Sequence, residues 1–192
     1  MLISQKPTEA ELNSFFLEQS KLDVCYSGVE MTRLGKSGPA QYRRHVADVV
    51  LGCGKNTFDD AVQHMKEWHH FALSWILLFP AKPTIAPNTT LLVCANHRWL
   101  WSVNACRIIY IIDESSESKK RFGFAYGTLP GHVEQGEERF LIEWDAESDL
   151  VRYEILAYSR PNHPLVSVLW PVGVLIQDHF RKESLLALKN RI

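Results

Sequence analysis

The stretch from Phe124 to Phe140, FAYGTLPGHVEQGEERF, concentrates the residue types best suited to chemistry. The imidazole of His132 titrates near neutral pH and so can serve as acid or base. Glu134, Glu137 and Glu138 stand close enough in sequence to orient it. Tyr126, Thr128 and Arg139 add hydroxyl and guanidinium groups, while Gly127 and Gly131 let backbone N–H groups face a ligand. A histidine among carboxylates does not by itself specify a reaction. The blander reading is a polar connection whose glycines serve turn geometry and whose glutamates are solvated. Arg107 and Arg152 are the charged residues in otherwise apolar stretches. Each either reaches into a cavity as a carboxylate anchor or pairs across a sheet with Glu154 or Glu143. Tyr110, Tyr126, Tyr153 and Tyr158 either offer hydroxyls to a cavity or bridge core and solvent.

Other chemistries find less support. No HExxH occurs, and His64 and His69 are five apart, so a helix would not align them as metal ligands. Cys94 and His97 would point to opposite faces of a strand. His45, beside Arg43 and Arg44, reads as exposed surface, and His163 and His179 are isolated. No metal and no cofactor is expected. GCGKNT at 52–57 lacks the GxxxxGK[ST] spacing of a phosphate loop, and no GxSxG elbow is present. Cys25, Cys53, Cys94 and Cys106 form no CxxC pair and read as buried free thiols. A formal net charge of -1 argues against a nucleic-acid partner.

The elements that must position these groups follow from periodicity. Residues 8–21 predict a helix, with Thr8 and Glu11 as a capping box and Leu12, Phe15 and Phe16 on one face. Residues 26–33 predict a short strand, 34–41 a loop, and 42–51 a short helix with Val46, Val49 and Val50 inward. Residues 57–70 predict the clearest helix of the first half, striped by Phe58, Ala61, Val62, Met65 and Trp68. Strands then follow in a run over 90–97, 105–114, 121–127, 138–144 and 150–159, linked by turns. A long terminal helix begins between Leu169 and Val174, on an inward ladder of Val172, Ile176, Phe180 and Leu188 that Ser184 interrupts. Consecutive strands on short links make an antiparallel sheet, and such a helix must bury its stripe against it. The expected fold is therefore α+β, a curved antiparallel sheet packed on a long C-terminal helix. Between sheet and helix the aromatics would line an apolar space, and six tryptophans supply either its walls or a thick core.

Four blocks carry a family resemblance: GCGKNTFDDAVQHMKEW at 52–68, NACRIIYIIDE at 104–114, FAYGTLPGHVEQGEERF at 124–140 and YSRP at 158–161. The chain resembles the DUF1990 family, also called UPF0548, whose pattern is matched by Gly54, Phe58, Ala61 and Trp68, by Cys106 and Arg107, and by Tyr126 to His132 and Gly136 to Phe140. The resemblance covers most of residues 26–190 and brings no activity with it. The element order is similar to the helix-grip layout of START and Bet v 1-like (SRPBCC) proteins, whose members bind lipids, sterols or polyketides and include a few cyclases and hydrolases. By that analogy, residues 25–192 form one domain behind a helical extension of residues 1–24. The expected ligand is a small apolar or amphipathic molecule. Arg107, Tyr126, Thr128, His132, Glu138, Trp144 and Tyr153 are its candidate contacts, and His132 is the candidate base should the protein act on it. A non-catalytic interaction module with a filled core is the remaining alternative. With no secretory leader and no apolar run long enough to span a bilayer, a cytoplasmic location is expected.

Overall fold

The computed structural model describes residues 1–37, 39–162 and 170–192. In chain order it contains β1 (Leu2–Ile3), α1 (Glu9–Gln19), a 3-10 segment (Met31–Ser37), β2 (Arg43–Cys53), α2 (Gly54–Lys66) and a 3-10 turn (His69–Phe71). Six strands follow, β3 (Ile76–Phe79), β4 (Thr90–Asn96), β5 (Trp101–Ser115), β6 (Lys119–Thr128), β7 (Glu134–Asp145) and β8 (Leu150–Pro161), before α3 (Trp170–Lys189). The strands make one antiparallel sheet in the order β2-β8-β7-β6-β5-β4-β3, with β1 paired to β5. Pairing shifts by one residue between Val50 and Gly52 on β2 and between Ile108 and Tyr110 on β5. Such bulges increase local twist and help a sheet curl. α2 and α3 lie on the inner face, against β2, β7 and β8 and against each other. This is the helix-grip arrangement.

Alternation of side chains sorts the two faces. Leu91, Cys106, Ile108, Phe124, Phe140, Ile142, Tyr153 and Ile155 point inward and meet Phe58, Ala61, Met65 and Trp68 from α2 and the residues after it, with Leu185 and Leu188 from α3. Leu92, Cys94, Val103 and Ala105 point outward, where Leu12 of α1 covers them. α1 is stopped at its start by Thr8, which accepts from the Glu11 N–H while the Glu11 carboxylate accepts from the Thr8 N–H.

Three segments differ from expectation. Residues 42–51 are not a helix: Arg43–Cys53 is the edge strand β2, paired along its length with β8. His45, Ala47, Val49 and Leu51 turn inward while Val46 stays 40% exposed, so the true period is two. The apolar residues at 46, 49 and 50 imitate a helical spacing, and pairing with β8 decides between the two readings. Residues 26–33 are not a strand either. The buried Glu137 carboxylate accepts from the backbone N–H of Glu30 (2.8 Å), that of Thr32 (2.9 Å), the Tyr26 hydroxyl (2.8 Å) and the Thr32 hydroxyl, and these bonds bend the segment into the 3-10 turn. The helix expected over 57–70 spans Gly54–Lys66 and stops short because Trp68 takes a left-handed conformation at φ 62 and ψ 25. Cys53 is exposed rather than buried. His163 and the side chains of Trp170 and Val172 lie outside the described residues.

Candidate ligand cavity

The chemistry-bearing stretch 124–140 is the β6–β7 hairpin, and its glycines answer to packing. A Cβ on Gly127 would lie 2.2 Å from the Tyr26 hydroxyl oxygen, and one on Gly131 would lie 2.4 Å from Cζ of Phe15. Gly136, at φ +153, would set a Cβ 1.9 Å from the Tyr158 carbonyl oxygen. These residues let the N-terminal segment lie flat on the outer face of the hairpin and let β8 close against β7. The inner face is then free to present Tyr126 and Glu138, which stand opposite each other across the β6–β7 ladder.

Beneath α3 the sheet leaves a cavity of about 470 Å³. Its wall is mostly apolar on the β3–β5 side, with Trp75, Ile76, Val93, Ala95 and Leu100 around the polar His97, Ser102 and Asn104, and Ile176 and Phe180 of α3 complete it. The opposite side is polar. Tyr126 donates to Oε2 of Glu138 at 2.6 Å, and Nη1 of Arg181 lies 4.0 Å from Oε1 of the same carboxylate. Arg181 is 3% exposed; its Nη2 donates to Asp178 at 2.6 Å and lies 3.3 Å from Nδ1 of His45. Glu134 accepts from the Gln177 amide. Gln177 and Arg181 sit four apart on α3, so one helix face carries both to the same pole.

Burial sets the charge state of this pole. It pushes the Glu134 carboxyl up to about 7, and the nearby Glu138 charge acts in the same direction. Burial likewise raises Glu138, against the opposing pull of Arg181 and the Tyr126 hydroxyl. His45 is lowered to about 4 by burial and then by Arg181, so it is neutral at pH 7. Burial lowers His132 to about 3. Nδ1 of His132 accepts the Glu134 backbone N–H at 2.9 Å, which leaves the proton of the neutral ring on Nε2. His132 thus presents a donor, not a basic lone pair. Glu134, by contrast, is brought close to neutrality.

The expected contacts divide by sheet face and by depth. Tyr126, Thr128, His132 and Glu138 line the cavity. The Thr128 hydroxyl is already engaged, accepting the Gly136 N–H at 3.0 Å and meeting Sγ of Cys25 at 3.2 Å. Arg107 faces the outer side, where Nη2 donates to the Ser20 carbonyl at 2.8 Å beyond the end of α1. Its neighbours Cys106 and Ile108 point inward, so strand alternation excludes Arg107 from the cavity. Tyr153 is buried in the core, with its hydroxyl 3.1 Å from that of Ser184. Trp144 packs on the edge of that core and donates to Asp149 at 3.0 Å. Arg152 pairs on the surface with Asp48. Sequence reasoning counted Trp75 among six tryptophans for wall or core, did not single out Gln177 or Arg181, and gave Glu134 only an orienting role. The available signal was the polar run Gln177, Arg181, Ser184 at spacings of four and three along the inward face of α3.

A match to the family model described as a domain of unknown function (DUF1990) extends over residues 25–187. The chain belongs to the DUF1990 family. A UPF0548 protein of Dictyostelium discoideum is 30% identical over 96% of this chain and 92% of its own length. A UPF0548 protein of Arabidopsis thaliana is 32% identical over 76% of this chain and 71% of its own length. Among solved structures, human STARD10 superposes with a TM-score of 0.48 at 12% identity, covering 96% of this chain and 80% of that one. Among the described residues of this DUF1990 protein, no helix is long and apolar enough to cross a membrane.

Proposed function

We propose that the protein binds a small amphipathic molecule, mostly apolar with one polar end, between the sheet and α3. The observation that carries this is the two-sided cavity of about 470 Å³, apolar around Trp75, Val93 and Phe180 and polar around Glu138, Tyr126 and Arg181. The volume falls within the range of small-molecule sites, roughly 300–1,000 Å³. Apolar walls supply most of the binding energy, and a few fixed polar groups orient the ligand. Tyr126, Glu138 and Glu134 are the proposed contacts for the polar end. His132 and Thr128 border it as fixed wall. The proposed partner is a small molecule, not nucleic acid, and the proposed location is cytoplasmic. In the proposed organisation residues 1–24 form an extension backing the domain of residues 25–192.

Native mass spectrometry of freshly purified protein and a fluorescence titration with 1-anilinonaphthalene-8-sulfonate test the reading together. Ala95→Phe fills the apolar side, where Ala95 is only 6% exposed. It is expected to weaken dye binding at least about tenfold, equivalent to about 1.4 kcal/mol, while the thermal melt stays cooperative. A bare protein mass together with dye affinity unmoved by Ala95→Phe would sink the proposal.

A second reading, hydrolysis or ring closure of the bound molecule, draws on one specific feature. Glu134 borders the cavity with its carboxyl pushed up to about 7, the value suited to a general acid or base at neutral pH. On that reading Glu134→Gln abolishes turnover and leaves affinity nearly intact, whereas a carrier loses at most affinity.

A further inference from the structure

We propose a second ligand site, between the end of α2 and the end of α3: His64, Glu67 and His69 form a binding site for a divalent transition-metal ion of the zinc class. One nitrogen of each imidazole and one carboxylate oxygen of Glu67 lie within 4.8 Å of one another. Their spacing in sequence conceals this. Residues five apart on a continuous helix do not share a face. Here the left-handed Trp68 reverses the chain just after α2, so that the His69 ring returns to meet His64 with the two Nδ1 atoms 2.8 Å apart. Nε2 of His69 lies 3.5 Å from Glu67 Oε2.

The donor set points to the metal class. Two imidazoles and one carboxylate are the ligands of zinc and its first-row neighbours, whereas magnesium and calcium prefer oxygen alone. In a tetrahedral zinc site the ligand atoms stand about 3.3 Å apart, given metal–ligand bonds of about 2.0–2.1 Å. The three ligand atoms, one from each residue, lie within 4.8 Å of one another, and rotations of two half-buried rings and one surface carboxylate would draw them in to that spacing. At 2.8 Å the two Nδ1 atoms make one hydrogen bond between neutral rings, and a cation that takes both lone pairs would replace that bond.

The surroundings fit a three-ligand site with one open position. His64 and His69 line a pocket completed by Ala72 and by Ala187, Asn190 and Arg191 from the end of α3 and the residues after it. The C-terminal end of α2, whose last turn contributes His64, carries the negative pole of the helix dipole and favours a cation. Arg191 and Lys82 act in the other direction, through their charges on His69 and Glu67. A fourth ligand that is itself an anion, such as hydroxide or chloride, offsets them. The bound ion would tie the end of α2 to the turn that carries His70 and Phe71 into the core.

The test is titration of untagged protein with zinc chloride by calorimetry, in a Cys53→Ser background because that exposed thiol is itself a zinc ligand. One equivalent is expected to bind, and an equal concentration of magnesium chloride is expected to give no heat. Cobalt(II) is expected to give the intense visible bands of a four-coordinate nitrogen and oxygen site. His64→Ala and Glu67→Gln are each expected to weaken zinc binding at least about tenfold, with circular dichroism unchanged. The two variants act independently, so misfolding of one leaves the other decisive. No zinc binding at millimolar concentration, or zinc binding unchanged in a folded variant, would overturn the proposal.

Discussion

Replacing Glu134 by glutamine isolates what burial of this carboxyl costs. In the folded protein the group is raised from 4.5 to about 7. The protonated form is therefore favoured by folding, and the sign follows. Below pH 4.5 the carboxyl is protonated in both states and has no effect. As pH rises toward 7 the unfolded chain releases its proton while the folded chain holds it, and stability falls throughout that window. Above the folded value the loss is complete. A shift of this size corresponds to about 3 kcal/mol at full effect, at about 1.36 kcal/mol per pH unit. The side chain is only half-buried, and solvent screening reduces the expected figure to about 1–2 kcal/mol. Glutamine cannot ionise, so Glu134→Gln should gain stability relative to the parent as pH rises. Urea denaturation of both proteins at pH 5 and pH 8 measures the difference. Glu138, also raised by burial, is present in both proteins and cancels apart from its coupling to Glu134. The expected outcome is a variant that gains about 1–2 kcal/mol on the parent between the two pH values. A difference that does not change with pH would refute the reasoning, because the carboxyl would then have the same proton affinity in folded and unfolded chains.

Two further substitutions probe the groups that the cavity does not use. His70 is fully buried among Trp68, Phe71, Phe124 and Phe140, and neither ring nitrogen has a hydrogen-bond partner among the described residues. Unsatisfied buried polar atoms cost about 1–3 kcal/mol each, so His70→Leu should stabilise by about 1–2 kcal/mol in urea denaturation, after some loss of ring packing. Glu137→Gln replaces an acceptor of several bonds by a group with one donating end, which then faces either the Thr32 N–H and hydroxyl or the Glu30 N–H and Tyr26 hydroxyl. A loss of about 3 kcal/mol is expected, and a loss under about 0.5 kcal/mol would show that the carboxylate is not what bends residues 26–33.

Where one physical signal dominated, the chain was legible. Strands β4 to β8 alternate between a covered inner face and a second face, and the short polar turns between them leave antiparallel pairing as the simple outcome. The capping box at Thr8 and Glu11 fixed the start of α1. β2 was illegible because its valines at 46, 49 and 50 match a helix spacing, and only its partner β8 selects the extended form. Residues 26–33 were illegible for a related reason: the group that shapes them, Glu137, lies more than 100 residues away, as the separation of 105 from Thr32 illustrates. Within the candidate site, the pairing of Tyr126 with Glu138 lay inside the motif that drew attention first. The role of Arg181 did not, because a charged residue on a long helix reads as solvent-facing until the opposing carboxylate is known. Arg107 shows the reverse failure. Its place in an apolar strand was visible, but the face it occupies depends on pairing register.

Glu137 and Glu138 are neighbours that look in opposite directions, one pinned under the N-terminal segment and one turned into the hollow. That adjacency works as an alignment key for the β6–β7 hairpin. A slip of a single position would turn Glu137 to the ligand side and Glu138 away from it: in one direction the turn at Met31 loses its anchor, and in the other Arg139 replaces Glu138 opposite Tyr126. Faults of assembly would therefore be felt on both surfaces together, and a chain that has docked its N-terminal segment has, by the same act, set the polar end of its cavity.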